Sequence, residues 1–127
     1  MLPASKNNRP ATKDVFDLSK ALEVVDGDME FFKEIAELFL ENLPDNIAQI
    51  REGIGKSDTH AVERAAHSLK GSVGNFGAKR AFEAAYRLEV LGREGRLAEA
   101  EGALPELERE FKNLEAAMKE ASSGDKK

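Results

Sequence analysis

The sequence predicts an all-α protein, an antiparallel up-down four-helix bundle with a short additional N-terminal helix. Two patterns carry that expectation. Apolar residues recur at three- and four-residue spacing in four long segments, and no stretch alternates apolar and polar residues with the period of two that a half-buried strand needs. The segments are joined by short stretches that hold glycine or polar residues, so each helix must turn back and bury one stripe against its neighbours. At 127 residues the chain makes one domain, long enough for a core but not for a catalytic domain plus a second module.

Met1 to Lys13 combines two prolines, two asparagines and three basic residues, and is expected to be a flexible N-terminal arm, residues 1–13. The bundle is assigned to 14–121 and a disordered tail to 122–127, with fraying from Ala121. Asp17 has the chemistry of an N-cap for a short helix, Leu18 to about Val24, that ends before Asp26-Gly27-Asp28 and covers one end of the bundle. From about Met29 the residues Phe31, Phe32, Ile35, Leu38, Phe39, Leu43, Ile47 and Ile50 form the longest apolar stripe, with Phe31, Phe32 and Phe39 expected as core anchors. Pro44 interrupts one helical hydrogen bond, which predicts a kink near Leu40 to Pro44 and not two helices. Gly53 to Lys56 is expected as a turn, with Ser57 or Asp58 capping the second long helix. The Gly77-Ala78 pair marks a junction, after which Ala81, Phe82, Ala85, Leu88 and Leu91 make the third helix. Gly92 to Arg96 is the next expected loop. Leu104, Leu107, Phe111, Leu114 and Met118 define the fourth helix, with a regular start at Pro105.

Composition excludes several classes of function. With no cysteine there is neither a disulfide framework nor a thiolate metal site. The polar N-terminus has no signal-like apolar run, and no segment approaches the 18 or so apolar residues of a membrane span, so a cytoplasmic protein without membrane association is expected. A net charge of −5 argues against nucleic-acid binding by a general basic surface. The runs Gly71 to Gly77 and Gly92 to Gly95 match neither a P-loop nor a Rossmann spacing, which leaves no recognisable route to ATP. A monomer is expected, because a closed bundle leaves no apolar stripe over.

The second long helix carries the candidate site. At about 100° per residue, Val62, Ala65, Ala66, Leu69, Val73 and Phe76 fall in one stripe. His67 projects about 140° from its centre, beside His60, Glu63, Lys70, Gly71 and Gly74, so its imidazole faces water or a partner. Two helical glycines each cost about 1 kcal/mol relative to alanine, and Gly71 and Gly74 lie on the face of the histidine, leaving the ring open. Lys70 stands one turn away, able to neutralise a phosphoryl group. From His60 to Arg87 the chain holds Arg64, Lys70, Lys79, Arg80 and Arg87 against only Glu63 and Glu83, a locally basic stretch suited to an acidic partner.

The motif Ala66-His67-Ser68-Leu69-Lys70-Gly71, followed by Asn75-Phe76-Gly77-Ala78, resembles the histidine-containing phosphotransfer (HPt) domains of multistep two-component phosphorelays, and the likeness extends from about Val15 to Met118. The resemblance implies that His67 accepts a phosphoryl group from a receiver-domain aspartate and passes it reversibly to another. It implies Lys70 as a charge-neutralising neighbour, Gly71 as clearance for docking, and Arg64, Gly74 and Arg80 as contacts with the partner. The implied partners are response-regulator receiver domains and a hybrid sensor histidine kinase. The domain would have no cofactor of its own and no autonomous kinase activity, the Mg²⁺ being supplied by the receiver. Imidazole suits such a role because its ordinary pKa of about 6.5 leaves a neutral, nucleophilic nitrogen at cellular pH.

Some members of the family place a glutamine on the following helix, and Glu89 aligns with it. A carboxylate there would orient the imidazole by accepting a hydrogen bond but repel a phosphoryl group; the alternative is a plain helix-surface charge. A metal site of His60, Glu63 and His67 is disfavoured, because seven residues separate the histidines by about 10.5 Å along a helix. A docking module that binds a receiver without taking its phosphoryl group is the second reading of the motif.

Overall fold

The computed structural model describes residues 12–123, and among them every regular element is an α-helix. They are α1 (Thr12–Val15), α2 (Leu18–Val24), α3 (Met29–Gly55), α4 (Thr59–Gly74), α5 (Lys79–Arg93) and α6 (Leu97–Ser123). Interfaces α3–α4, α4–α5, α5–α6 and α3–α6 close the four long helices into a ring, so neighbours in sequence are neighbours in space. That is the expected bundle, with α2 as its short additional helix. The helical turn α1 was not foreseen, and it begins inside the stretch assigned to the N-terminal arm. The rest of that arm, and positions 124–127 of the tail, lie outside the described residues; α6 continues two residues beyond the expected end of the bundle.

Aspartates begin three of the helices. Asp17 accepts from the Lys20 N–H at 3.3 Å, and Asp28 and Asp58 accept from the Phe31 and Ala61 N–H groups at 3.1 Å each. These bonds satisfy donors that the first turn of a helix leaves over. Asp58, and not Ser57, is therefore the cap of α4; Ser57 takes a left-handed φ of 57° in the connection. Gly77 makes the α4–α5 turn with φ 65°, and a Cβ there would lie 2.8 Å from Cβ of Asp17, so the start of α2 packs directly on that turn.

The core is one cluster in which Phe32, Ile50, Val62, Leu69, Val73, Leu88, Leu107, Phe111, Leu114 and Met118 are fully enclosed. Phe39 and Phe76 meet with ring centroids 5.3 Å apart, and Phe16 stacks on Phe32 at 5.8 Å, which fastens the N-terminal segment to the bundle end.

Several boundaries and facings differ from expectation for local reasons. Phe31 is 48% exposed and Leu38 60% exposed, so neither anchors the core. The buried positions of α3 are Phe32, Ala36, Phe39, Leu43, Ile50 and Gly53, and Phe31 and Leu38 each lie one step, about 100°, round the helix from enclosed Phe32 and Phe39. Phe82 is likewise at the rim of α5. The uncovered Val24, Phe31 and Leu38 remove the premise on which a monomer was expected.

Gly53 and Gly92 are helical residues in close interhelical contact and not turn glycines: a Cβ on Gly53 would meet Val62 Cγ2 at 2.9 Å, and one on Gly92 the Glu63 backbone nitrogen at 2.8 Å. Pro44 lies within a single α3, as expected. Pro105 does not start α6 but lies within it, because the buried Ala100 and Ala103 extend the core-facing stripe with side chains too small to stand out in the sequence.

Candidate functional site

Val62, Ala65, Ala66, Leu69 and Val73 all point into the core, which turns His67 outward with 65% of its side chain exposed. Glu89 occupies the inward stripe of α5 together with Ala85, Leu88 and Gly92, and its side chain is only 5% exposed. It is thus not a helix-surface charge. The α4–α5 interface is the most extensive in the bundle. Gly92 rests on the backbone of Glu63 and the side chain of Val62, and this close approach brings the Glu89 carboxylate beneath the imidazole.

His67 Nδ1 lies 3.1 Å from Oε2 of Glu89. An ionised carboxylate only accepts, so Nδ1 is the nitrogen that donates, and in the neutral ring Nε2 then carries the free lone pair. Lys70 Nζ stands 2.8 Å from Oε1 of the same carboxylate. The ammonium and the buried oxygen form a charge-assisted pair. Nζ also lies 5.0 Å from the ring centroid of Tyr86 and 5.9 Å from that of Phe82, within cation–π range. Burial works to raise the pKa of Glu89, but the nearby Lys70 and His67 outweigh it and hold the carboxyl below its usual range.

Arg93, one turn beyond Glu89, completes the group. Its Nη2 donates to Glu89 Oε2 at 2.6 Å and its Nε to Glu63 Oε2 at 3.0 Å. The arrangement places an oriented, outward imidazole above a buried carboxylate that two cations surround.

The other residues singled out in the sequence fall in different places. At Gly71 an added Cβ would meet nothing within 4 Å, so the space beside His67 is open there. Gly74 ends α4, and a Cβ on it would touch the Phe82 ring at 3.8 Å, an ordinary contact. Arg64 is exposed on the α3 side of α4, in a shallow depression with Gln49, Lys56 and Ser68. Arg80 does not join the histidine: it makes a two-pronged pair with buried Glu110 of α6, at 3.1 and 2.7 Å, across the α5–α6 interface. His60 is exposed, and Glu63 is engaged by Arg93. Among the described residues no group of three or more His, Asp or Glu side chains is arranged to hold a metal ion, and no helix is long and apolar enough to cross a membrane.

Arg93, Tyr86 and Gly92 were not singled out as site residues, and Glu63 was considered only on the face of His67 and in the disfavoured metal site. The only sequence signal for Arg93 is its i+4 spacing from Glu89, which is shared by many surface pairs.

The site is thus an exposed histidine oriented by a buried acid on a closed helical bundle. The chain belongs to the Hpt domain family, whose model matches residues 34–117 and so contains the whole cluster just described. Domains of this family are phosphocarrier modules of two-component signalling, not kinases, and they work with receiver domains. The fold is similar to that of the HPT domain of a sensor hybrid histidine kinase from Shewanella, with a TM-score of 0.75 and 18% identity over 88% of this chain and 97% of that one. It is also similar to histidine-containing phosphotransfer protein B (HptB) of Pseudomonas aeruginosa PAO1, with a TM-score of 0.79 and 21% identity over 85% of this chain and 94% of the other. No curated protein matches the chain significantly.

Proposed function

We propose that this domain is a phosphorelay intermediate in which His67 accepts a phosphoryl group from the aspartyl phosphate of one receiver domain and returns it to the aspartate of another. The observation that carries this reading is the 3.1 Å contact of His67 Nδ1 with Glu89, a carboxylate almost wholly removed from water, within the family's His-x-x-Lys-Gly motif. With Nδ1–H donating inward, Nε2 presents its lone pair to the partner. Nε2 attacks phosphorus, the bond from phosphorus to the aspartate oxygen breaks, and its electron pair leaves with the aspartate carboxylate. The proton stays on Nδ1, where Glu89 stabilises the positive charge that develops on the ring. In the return step the neutral imidazole is the leaving group and the same hydrogen bond is kept.

Lys70, paired with Glu89 Oε1, stands one turn from His67, where its flexible ammonium can turn toward the phosphoryl oxygens. Gly71 gives the receiver room to approach the ring. Arg64 is an accessible cation for the rim of that contact, whereas the pairing of Arg80 with Glu110 favours a structural role. The Mg²⁺ that this transfer needs would be held by the receiver and neutralise the charge of the transferring group. A hybrid sensor histidine kinase is the implied source of phosphoryl groups.

The test is transfer of labelled phosphoryl groups from a panel of phosphorylated receiver domains. Label that is acid-labile, alkali-stable and absent in His67→Gln supports the reading. Binding to a receiver without any transfer would favour the docking module instead.

A further inference from the structure

We infer that Arg93 is a positioning residue for the reactive imidazole and that it acts through Glu89; the inference rests on His67 being the phosphoryl carrier. A carboxylate on a flexible side chain can present either oxygen in several rotamers, and something must fix it if it is to fix the histidine. Lys70 stands 2.8 Å from the other oxygen, Oε1, and not at the one that faces the histidine. The shortest directed bond to the carboxylate is the 2.6 Å donation from Arg93 Nη2 to Oε2, the same oxygen that faces His67 Nδ1. Arg93 is itself held, because its Nε donates to Glu63 at 3.0 Å, and Glu63 lies one turn before His67 on α4.

The planar guanidinium therefore spans the two helices that carry the histidine and its acid. It reaches one carboxylate on each with donors whose spacing is rigid, as the flexible ammonium of lysine cannot. The neighbouring Gly92, packed on the Glu63 backbone, sets where this side chain leaves α5. The charged or titratable groups that act on the His67–Glu89 pair or on Arg93 come from these two helices: Glu63 and Lys70 from α4, Tyr86 and Arg93 from α5.

Two consequences separate this role from a simple tie between helices. Loss of Arg93 frees Oε2 to rotate toward Lys70, so Nδ1 loses its acceptor and the proton of the neutral ring distributes over both nitrogens. Glu63→Gln keeps a side-chain oxygen that can accept from Arg93 Nε and leaves the Arg93–Glu89 bond in place, so the ring keeps its tautomer. The experiment compares wild type, Arg93→Gln, Arg93→Lys and Glu63→Gln by the ¹⁵N shifts of the His67 ring and by the rate of phosphoryl uptake from a phosphorylated receiver.

Arg93→Gln is expected to replace the single Nδ1–H tautomer by a mixture and to slow uptake roughly ten- to a hundredfold, the scale of loss when a reacting group is misplaced by about an ångström. Arg93→Lys should recover part of both, and Glu63→Gln should match wild type. If Arg93→Gln keeps the wild-type tautomer and rate, or if Glu63→Gln loses as much as Arg93→Gln, the inference is overturned. Failure of the wild-type protein to take up phosphoryl groups would instead overturn the carrier reading itself, and the ring nitrogen shifts of the unphosphorylated protein keep the two failures apart.

Discussion

Gly92→Ala adds one methyl group where α4 and α5 come closest. The new Cβ would lie 2.8 Å from the Glu63 backbone nitrogen, 3.1 Å from Glu63 Cα and 3.1 Å from Val62 Cγ1. Carbon contacts are comfortable only from about 3.5 Å, and two of these three neighbours are backbone atoms, so the helices must separate locally by roughly 0.5 Å or more. Such overpacking costs about 1–3 kcal/mol, against which alanine recovers about 1 kcal/mol of helix propensity, leaving a loss of about 0–2 kcal/mol. Against an ordinary domain stability of about 5–15 kcal/mol the protein still folds.

The site suffers more. Glu89 lies one turn from position 92 on α5 and His67 one turn from Glu63 on α4, so the separation is passed to the 3.1 Å His67–Glu89 bond and stretches it toward the limit of hydrogen bonding. Urea unfolding should show a small destabilisation, and uptake of label from a phosphorylated receiver should fall by about tenfold or more. A Gly92→Ala protein about 1 kcal/mol more stable than wild type, with wild-type uptake, would refute this reasoning, because it would mean that the helix approach does not hold the site together.

Gly71→Gln provides the opposite case. The space at Gly71 is open, so the variant should gain about 0.5–1 kcal/mol of helix stability while blocking transfer by occupying the face that the receiver approaches; uptake at the wild-type rate would disprove the role of Gly71 as clearance. Stability should also depend on the ionisation of Glu89, whose carboxyl is held below its usual range. A group with a lowered native value contributes stability that is fully present above its unfolded value of about 4.3 and is lost as pH falls through the native value. Thermal melts should therefore show Glu89→Gln less stable than wild type at neutral pH, with the gap closing below about pH 4, and a gap that stays constant with pH would contradict this.

The fold was legible because each long helix carries large apolar residues at helical spacing, and because Asp17 and the Ser57–Asp58 pair mark where helices begin. The errors share a cause. Gly53, Gly92, Ala100 and Ala103 are small, and small residues mark a turn or a neutral surface as readily as a tight interface, which only the partner helix reveals. Phe31 and Leu38 show the converse, where apolar character alone does not decide which of two adjacent residues faces inward.

Within the site, the outward facing of His67 followed from periodicity on a single helix, so it could be read directly. The burial of Glu89 and its bond to Arg93 depend on how deeply α5 beds against α4. That is a relation between elements, and the local sequence around Glu89 does not carry it.

The nitrogen that bears phosphorus is the most direct thing to measure. Phosphorylated protein labelled with ¹⁵N in its histidines, observed by ¹⁵N and ³¹P NMR, is predicted to show phosphorus on Nε2 of His67 with Nδ1 still protonated. Phosphorus on Nδ1, or on any residue other than His67, would contradict the role of Glu89 as the acceptor that holds the Nδ1 proton, and with it the proposed path of transfer.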